Sequence, residues 1–500
     1  MASTISGVRT PAAPKIAIFT RFSPYDFQAA LSCSSPWISV IGNQIDLSII
    51  LFYDAGKLGL VGNPCLSALL GVKIKREITR LKGTSLNNSR FPALAYRNFR
   101  IFWIGQFISL IGTWMQSTVQ PYLAYRLTDQ PIYLGLVGFA GALPSLLFTL
   151  PVGVMVERLD KRKTVIVAQF VMMVQAFILG ILALPGRVTI WHIIGLAFIM
   201  GIANSVDMVA RQSMLRELTD ISVLPNAIAL NSTIFNAARV LGPTLSAPFL
   251  VYLGNNGEGW AFLANAVSYL FVIIGLFMIN TRSVIPPRVE GNSPLDDFKE
   301  GQRYIRSSKI IPLIIILVAI PGIFGFPFSQ QIPVFAKVGL HQVGDTEAIV
   351  AARNSLLMTA QGVGALFAAL GLAVFSTFRK KGRLLASGQI VFAIALILLG
   401  FTHNTPLASV FFMIAGWGMV TQLALNNTLV QLNSPNELRG RVLSTYIWAM
   451  NGVSPFGSLL IGWLAQNWGI QVAVLIGGGI CLASFIIGHA LRPAIRETVL

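Results

Sequence analysis

The sequence predicts an all-α membrane protein: twelve transmembrane helices in two pseudo-symmetric six-helix bundles around a central cavity. Three observations carry this reading. The composition is apolar and poor in charge, the apolar runs are long enough to cross a bilayer, and Lys and Arg favour every second connection. The chain is 54% hydrophobic and 11% charged, with a mean hydropathy of +0.69. A soluble domain carries about 25% charged residues. Apolar runs of about 20 residues match a hydrocarbon core roughly 30 Å thick. Helices fit there because they satisfy their own backbone polar groups.

Twelve helical segments are expected at 99–125, 131–156, 163–184, 190–210, 223–251, 259–280, 310–336, 349–377, 383–401, 406–428, 438–465 and 470–491. Turn-rich pieces such as DQP, LPGR, GNNGEG and HNTP separate them. The net charge of +18 would point to nucleic acid on a soluble chain. Here its distribution matters more. If the first helix starts inside, inner connections carry 28 Lys and Arg, and outer ones only Arg126, Arg187, Lys337 and Arg353. Positive residues near span ends set orientation, so both termini are expected in the cytoplasm.

The longest inner connection is Pro-rich at first and then amphipathic, with Leu295, Phe298, Tyr304 and Ile305 among charges. It divides the chain into a first six-helix half over 91–280, a cytoplasmic linker over 281–308 and a second half over 309–500. Residues 1–90 read as a disordered or artefactual extension. Their one apolar patch, WISVIGNQIDLSIILFY, is broken by Asn43, Gln44 and Asp46. It also lacks the parts of a secretory signal. No methionine lies between Met1 and Met115, so a start at another codon stays open.

The halves echo each other. Pro225-Asn226 in LPNAIALNSTIFNAARVLGP and Pro435-Asn436 in SPNELRGRVLSTYIWAMNGVSP are 210 residues apart. The first and seventh spans begin about as far apart, and Lys161–Lys163 after the second span matches Arg379–Lys381 after the eighth. Matches in nearly one register indicate a duplicated unit, an architecture of secondary transporters with a midplane cavity.

Between the second and third spans lies GVMVERLDKRKT, with Gly153, Glu157, Arg158, Asp160, Lys161, Arg162 and Lys163. It resembles the loop signature of the major facilitator superfamily: Gly, three residues, an acid, Arg, one residue, a usual Gly, and a basic run. Glu157 stands for the commoner Asp, and Asp160 for the usual Gly. RNFRIFWIGQFISLIGTWMQ, ARQSMLREL, LPNAIALNSTIFNAARVLGP and ELRGRVLS are similar to the enterobactin-exporter-like branch, the transmembrane secretion effectors. The resemblance covers about 95–495. It implies export of a small molecule, a siderophore or a drug, across a bacterial inner membrane, with the proton gradient as energy source.

Two readings of the charged stretch stand side by side: an anchor at the cytoplasmic surface, or part of an inner gate. The resemblance implies that the acid, Glu157, docks near the start of span eleven, which holds Glu437, Arg439 and Arg441. A helix N-terminus carries about half a unit of positive charge to receive it. Asp207 and Arg211 are spaced for one helix face, as a local ion pair or an extension of that gate. Arg239 lies about four turns into the fifth span, at a cost of at least ~2.5 kcal/mol on insertion scales. Either it pairs with a carbonyl or Asn236, or it lines the cavity and meets an anionic or carbonyl-rich ligand. Gly242-Pro243 is expected to bend that span and matches part of an exporter motif of the family.

Gln106, Ser109, Thr113, Gln116 and Gln120 share one face of the first span. They are expected to bind substrate or to pair with other helices. Further cavity candidates are Asn204, Asn231, Asn236, Gln361, Gln422, Asn426 and Asn451. Trp114, Trp417 and Trp448 are either aromatic walls or packing. The three cysteines, Cys33, Cys65 and Cys481, have no metal-ligand or disulfide spacing. The four histidines are scattered, and there is no GxxxxGK[ST] loop, so no cofactor, ATP chemistry or enzyme activity is expected. The expected partners are a small molecule, protons and the lipid bilayer, with no nucleic acid, and the chain is expected to be a monomer. Rival readings are uptake or lipid flipping by the same fold, and a non-transporting scaffold or sensor.

Overall fold

The computed structural model describes residues 52–54, 57–59, 91–157, 159–220, 222–279, 294–308, 310–374, 380–435 and 438–491, without the side chains of 149–157 and 294–298. The chain divides into two units, Met1–Arg90 and Phe91–Leu500. Of the first, the described residues form one antiparallel pair, β1 (Phe52–Asp54) and β2 (Lys57–Gly59), with Tyr53 opposite Leu58. The rest of the expected extension lies outside the described residues.

The described residues of the second unit are mostly helical. Its first six long helices are α1 (Arg97–Thr128), α2 (Pro131–Glu157), α3 (Lys161–Ala183), α4 (Ile190–Leu218), α5 (Leu224–Tyr252) and α6 (Gly257–Met278). A shorter α7 (Pro294–Ser307) falls within the linker. α8 (Ile311–Phe324) continues through a tight 3-10 stretch Phe326–Gln331, one turn Ile332–Val334 and a wide π stretch Phe335–Gly339. Pro321, Pro327 and Pro333 remove backbone donors along this path, which accounts for the irregular winding. Then follow α9 (Glu347–Val374), α10 (Lys381–Gly400), α11 (Thr405–Leu432), α12 (Arg439–Gly452), α13 (Ser454–Trp468) and α14 (Ile470–Leu491).

Among the described residues, ten stretches are long and apolar enough to cross a membrane. The two other expected spans depart from that standard for visible reasons. α1 is 32 residues long, but its polar stripe dilutes its apolar surface. The expected span 438–465 is interrupted at Val453, just before Pro455, and forms two shorter helices, α12 and α13. α4 runs to Leu218, well past the expected end near 210.

Helix packing falls into two sets. α1 packs on α5 and α6, α3 on α4 and α6, and α2 on α4. In the other set α11 packs on α9 and α10, and α14 on α8, α10 and α13. The sets meet along two seams, α2 against α12 and α13, and α5 against α9. α7 docks on the second set: Tyr304 Oη donates to the Asn433 carbonyl at 2.9 Å, Gln302 to Thr445 at 3.0 Å, and Glu300 pairs with Arg441.

One buried ion pair fixes the entry to α9. Arg353 grips Asp345 with two hydrogen bonds of 2.8 Å and donates to the Ala336 carbonyl at 2.7 Å. The guanidinium holds the Asp345 carboxyl down, at about 2. A depressed acid contributes stability above its ordinary pKa and loses it only as pH falls through the lowered one. Breaking a buried pair from one side costs about 3–5 kcal/mol. Asp345→Asn is therefore expected to lower the thermal unfolding midpoint of the purified protein by an amount that does not shrink from pH 8 to pH 5, where His341, 3.8 Å from the carboxylate, can only add to the attraction as it protonates. A difference that vanishes by pH 5 contradicts this account.

Candidate functional site

Arg239 stands where α1, α5 and α9 converge, near the middle of α1 and α5. Gly242 makes the convergence possible. A Cβ there would lie 2.5 Å from Trp114 Cβ and 2.7 Å from the Met115 backbone nitrogen, so α1 and α5 touch through a glycine. Arg239 sits three residues earlier, on the same helix face, and is brought against Trp114. Its Cζ is 4.8 Å from the Trp114 ring centroid and 5.5 Å from that of Phe235. The two rings meet edge to face at 5.5 Å. Cation–π contacts contribute about 0.5–1 kcal/mol when exposed and about 2 when desolvated. From the other set, α9 approaches the same point: a Cβ on Gly362 would be 2.6 Å from the Arg239 carbonyl oxygen.

No ion pair reaches this guanidinium among the described residues, and its buried Nε has no hydrogen-bond acceptor. Asn236 is three residues earlier, and its amide nitrogen donates to the Ser232 carbonyl at 2.8 Å. An i−4 carbonyl is the nearer acceptor for a helical Asn.

The polar stripe of α1 turns inward to its own helix set. Ser109 donates to Gln169 at 3.3 Å, and Gln169 to Asp207 at 2.8 Å. Thr113 meets Tyr269 Oη at 3.1 Å. Gln116 donates to Gln120 at 3.0 Å and to Gln175 at 3.1 Å, and accepts from Asn265 at 2.6 Å. Gln106, Ser109, Gln116 and Gln120 are buried. This geometry is that of the helix-pairing alternative. Asp207 is 1% exposed and pairs with Arg211 at 2.6 Å, so the i, i+4 ion pair joins the same network.

The other cavity candidates differ in burial and in hydrogen-bond partners. Asn204 is exposed, and Asn231 and Asn451 are half-buried. Gln361 is buried and donates to Ser329 at 2.8 Å. Gln422 and Asn426 are fully buried inside the second set, and neither amide has a hydrogen-bond partner.

The charged signature acts as joinery at one end of the first set. Asp160 caps α3 by accepting from the Lys163 amide at 3.1 Å, which gives the departure from Gly a physical reason. Lys161 pairs with Glu217 of α4 at 2.6 Å. Arg162 caps α6, donating to the carbonyls of Leu276 at 2.7 Å and Phe277 at 3.0 Å. The side chains of Gly153's helix end and of Glu157, together with Arg158 and Glu437, lie outside the described residues. Arg441 engages Glu300 of α7, and Arg439 Nε is buried without an acceptor.

The opposite end holds contacts that the sequence reading missed. Lys337 pairs with Asp129 at 2.9 Å and lies 5.6 Å above the Tyr125 ring. Tyr122 Oη donates to Glu347 at 3.4 Å, and Gln331 to the Pro131 carbonyl at 3.2 Å. Thr244 meets Thr359 at 3.2 Å, and Ser246 meets Ser355 at 3.0 Å. Each of these joins the two helix sets. Arg126 pairs with the buried Glu258 at 3.1 Å. The only signal in the sequence was that Arg126, Lys337 and Arg353 are rare cations at this end.

Membrane-length helices in two packed sets, meeting at a mid-depth cation, define a membrane transporter rather than an enzyme. A model of the transmembrane secretion effector family matches residues 88–498, and the chain belongs to that family, within the major facilitator superfamily. It is similar to the multidrug efflux pump Tap of Mycolicibacterium fortuitum, 24% identical over 75% of this chain and 91% of that protein. The staphyloferrin A transporter of Staphylococcus aureus is 25% identical over 80% of this chain and 98% of its own. The enterobactin exporter EntS of Shigella boydii is 21% identical over 73% and 85%. The fold matches an inward-facing, unoccupied bacterial homologue of the lysosomal transporter Spinster with a TM-score of 0.61, at 14% identity over 82% of this chain and 98% of that one.

A side chain at position 242 has no room, because its neighbours include the α1 backbone. Gly242→Leu is expected to push α1 from α5. Transport should fall at least tenfold, and the Trp114 fluorescence of the variant should shift. Unchanged fluorescence and transport would show that the close approach is not needed.

Proposed function

We propose that this chain is a secondary active exporter of a small molecule, a siderophore or drug-like compound, across the bacterial inner membrane by alternating access. In this reading twelve spans form two six-helix bundles, with α8 and its irregular continuation as the seventh and α12 with α13 as the eleventh. The single observation that carries it is the set of polar contacts that join the bundles toward one end. Among the described residues, the polar contacts joining the bundles lie from mid-depth to the end bearing Asp129 and Lys337. At the other end Lys161, Arg162 and Asp207 bind only within their own bundle.

Orientation follows from charge. The end rich in Lys and Arg is cytoplasmic, which puts both termini inside and makes this arrangement inward-open. Export is favoured by two relatives, the multidrug efflux pump Tap and the enterobactin exporter EntS. Rocking of the bundles about the Arg239 level would close the basic end and break the Asp129–Lys337 and Tyr122–Glu347 contacts. Glu157, with Asp207 and Arg211 behind it, is the gate at that end. Proton exchange falls to Glu157 and Asp207, and the protein works as a monomer without a cofactor. Uptake and lipid flipping use the same motion in reverse or with other cargo. A pure scaffold has no use for an unpaired mid-depth Arg.

Two measurements test the reading. A strain lacking the gene should secrete less siderophore or tolerate fewer drugs, and the gene should restore the loss. Locking the seam is the second. In a background with Cys33, Cys65 and Cys481 replaced by Ser, Thr244→Cys with Thr359→Cys should cross-link under oxidant and abolish flux in sealed vesicles, with recovery on reduction. Full flux by the cross-linked protein removes alternating access from consideration.

A further inference from the structure

The surroundings of Arg239 favour one class of cargo. Its guanidinium is half-buried, flanked by the rings of Trp114 and Phe235, and makes no ion pair among the described residues. The three helices that meet there offer it no acid. α1 and α5 contain no Asp or Glu, and α9 contains only Glu347, at its first residue and fifteen positions from Gly362. Other buried acids are committed: Asp207 to Arg211 and Gln169, and Glu258 to Arg126. The site therefore holds an uncompensated positive charge in a medium where charge is poorly screened. A planar guanidinium packed against aromatic rings still offers its N–H edge as a fork that fits a carboxylate with two parallel bonds. The rings beside it give an apolar surface for the body of the same molecule.

We propose that the cargo site selects small organic anions with a flat or aromatic body, the acid group on the Arg239 edge and the body against Trp114 and Phe235. This rests on the transport reading and names its substrate class. A cationic amine of the same shape meets the same charge and is rejected.

The test uses the full chain, purified in detergent, with two matched probes, 1-naphthoate and 1-naphthylmethylammonium, and calorimetric binding. Wild type should bind naphthoate about tenfold or more tightly than the amine, given one charge-assisted fork made or lost. Arg239→Met should cost about tenfold in naphthoate affinity, and Arg239→Lys, which keeps the charge and loses the fork, should fall between. The wild-type comparison needs no variant, so a misfolded variant leaves the proposal testable. Equal binding of both probes, preference for the amine, no naphthoate binding, or wild-type affinity in Arg239→Met overturns it. Vesicle flux separates the two readings. Anion-selective binding without flux of any probe sinks the transport reading alone, and flux of the amine in preference to naphthoate sinks the anion site alone.

Discussion

A polar atom inside a hydrocarbon layer has no water to turn to, and most of this structure follows from that constraint. In the first helix set it is met along most of α1, with the buried Gln106 Oε1 left without a partner among the described residues. Ser109, Thr113 and Gln116 reach Gln169 and Gln175 on α3 and Tyr269 and Asn265 on α6. The same side chains that make α1 too polar to read as a simple span make it the axis of its set. Interhelical hydrogen bonds in membranes average about 0.6 kcal/mol each, so the network's weight lies in fixing helix register rather than in bulk stability.

The second set meets the constraint differently. Gln422 and Asn426 are buried with no partner on either amide, while Gln389 meets His489 at 2.8 Å. Among the described residues the two helix sets thus differ in polar chemistry: one is tied internally by amides, and the other leaves buried amides without partners.

Much of the fold was legible in advance. Hydropathy placed the helices to within a few residues for most spans, because length and apolarity are local properties. It failed at Val453, where a proline splits the eleventh segment, and beyond Phe324, where prolines force 3-10 and π winding. At the candidate site the sequence singled out Arg239, Gly242, Asp207 and Arg211 as oddities of charge or backbone. It left open whether the α1 stripe faced cargo or neighbours, since periodicity names a face and not its partner.

By itself, then, the sequence determined the class of molecule. Composition, span length and the uneven placement of Lys and Arg are one-dimensional quantities that the bilayer reads directly. Only the tertiary structure decided what each polar residue does. Arg162 became a helix cap, Gln116 a hub and Lys337 a clasp on Asp129 because of residues distant in the chain. Among the described residues Arg239 was left with two aromatic rings and no acid for the same reason: a charge is paired or unpaired by three-dimensional neighbours, which no local pattern encodes.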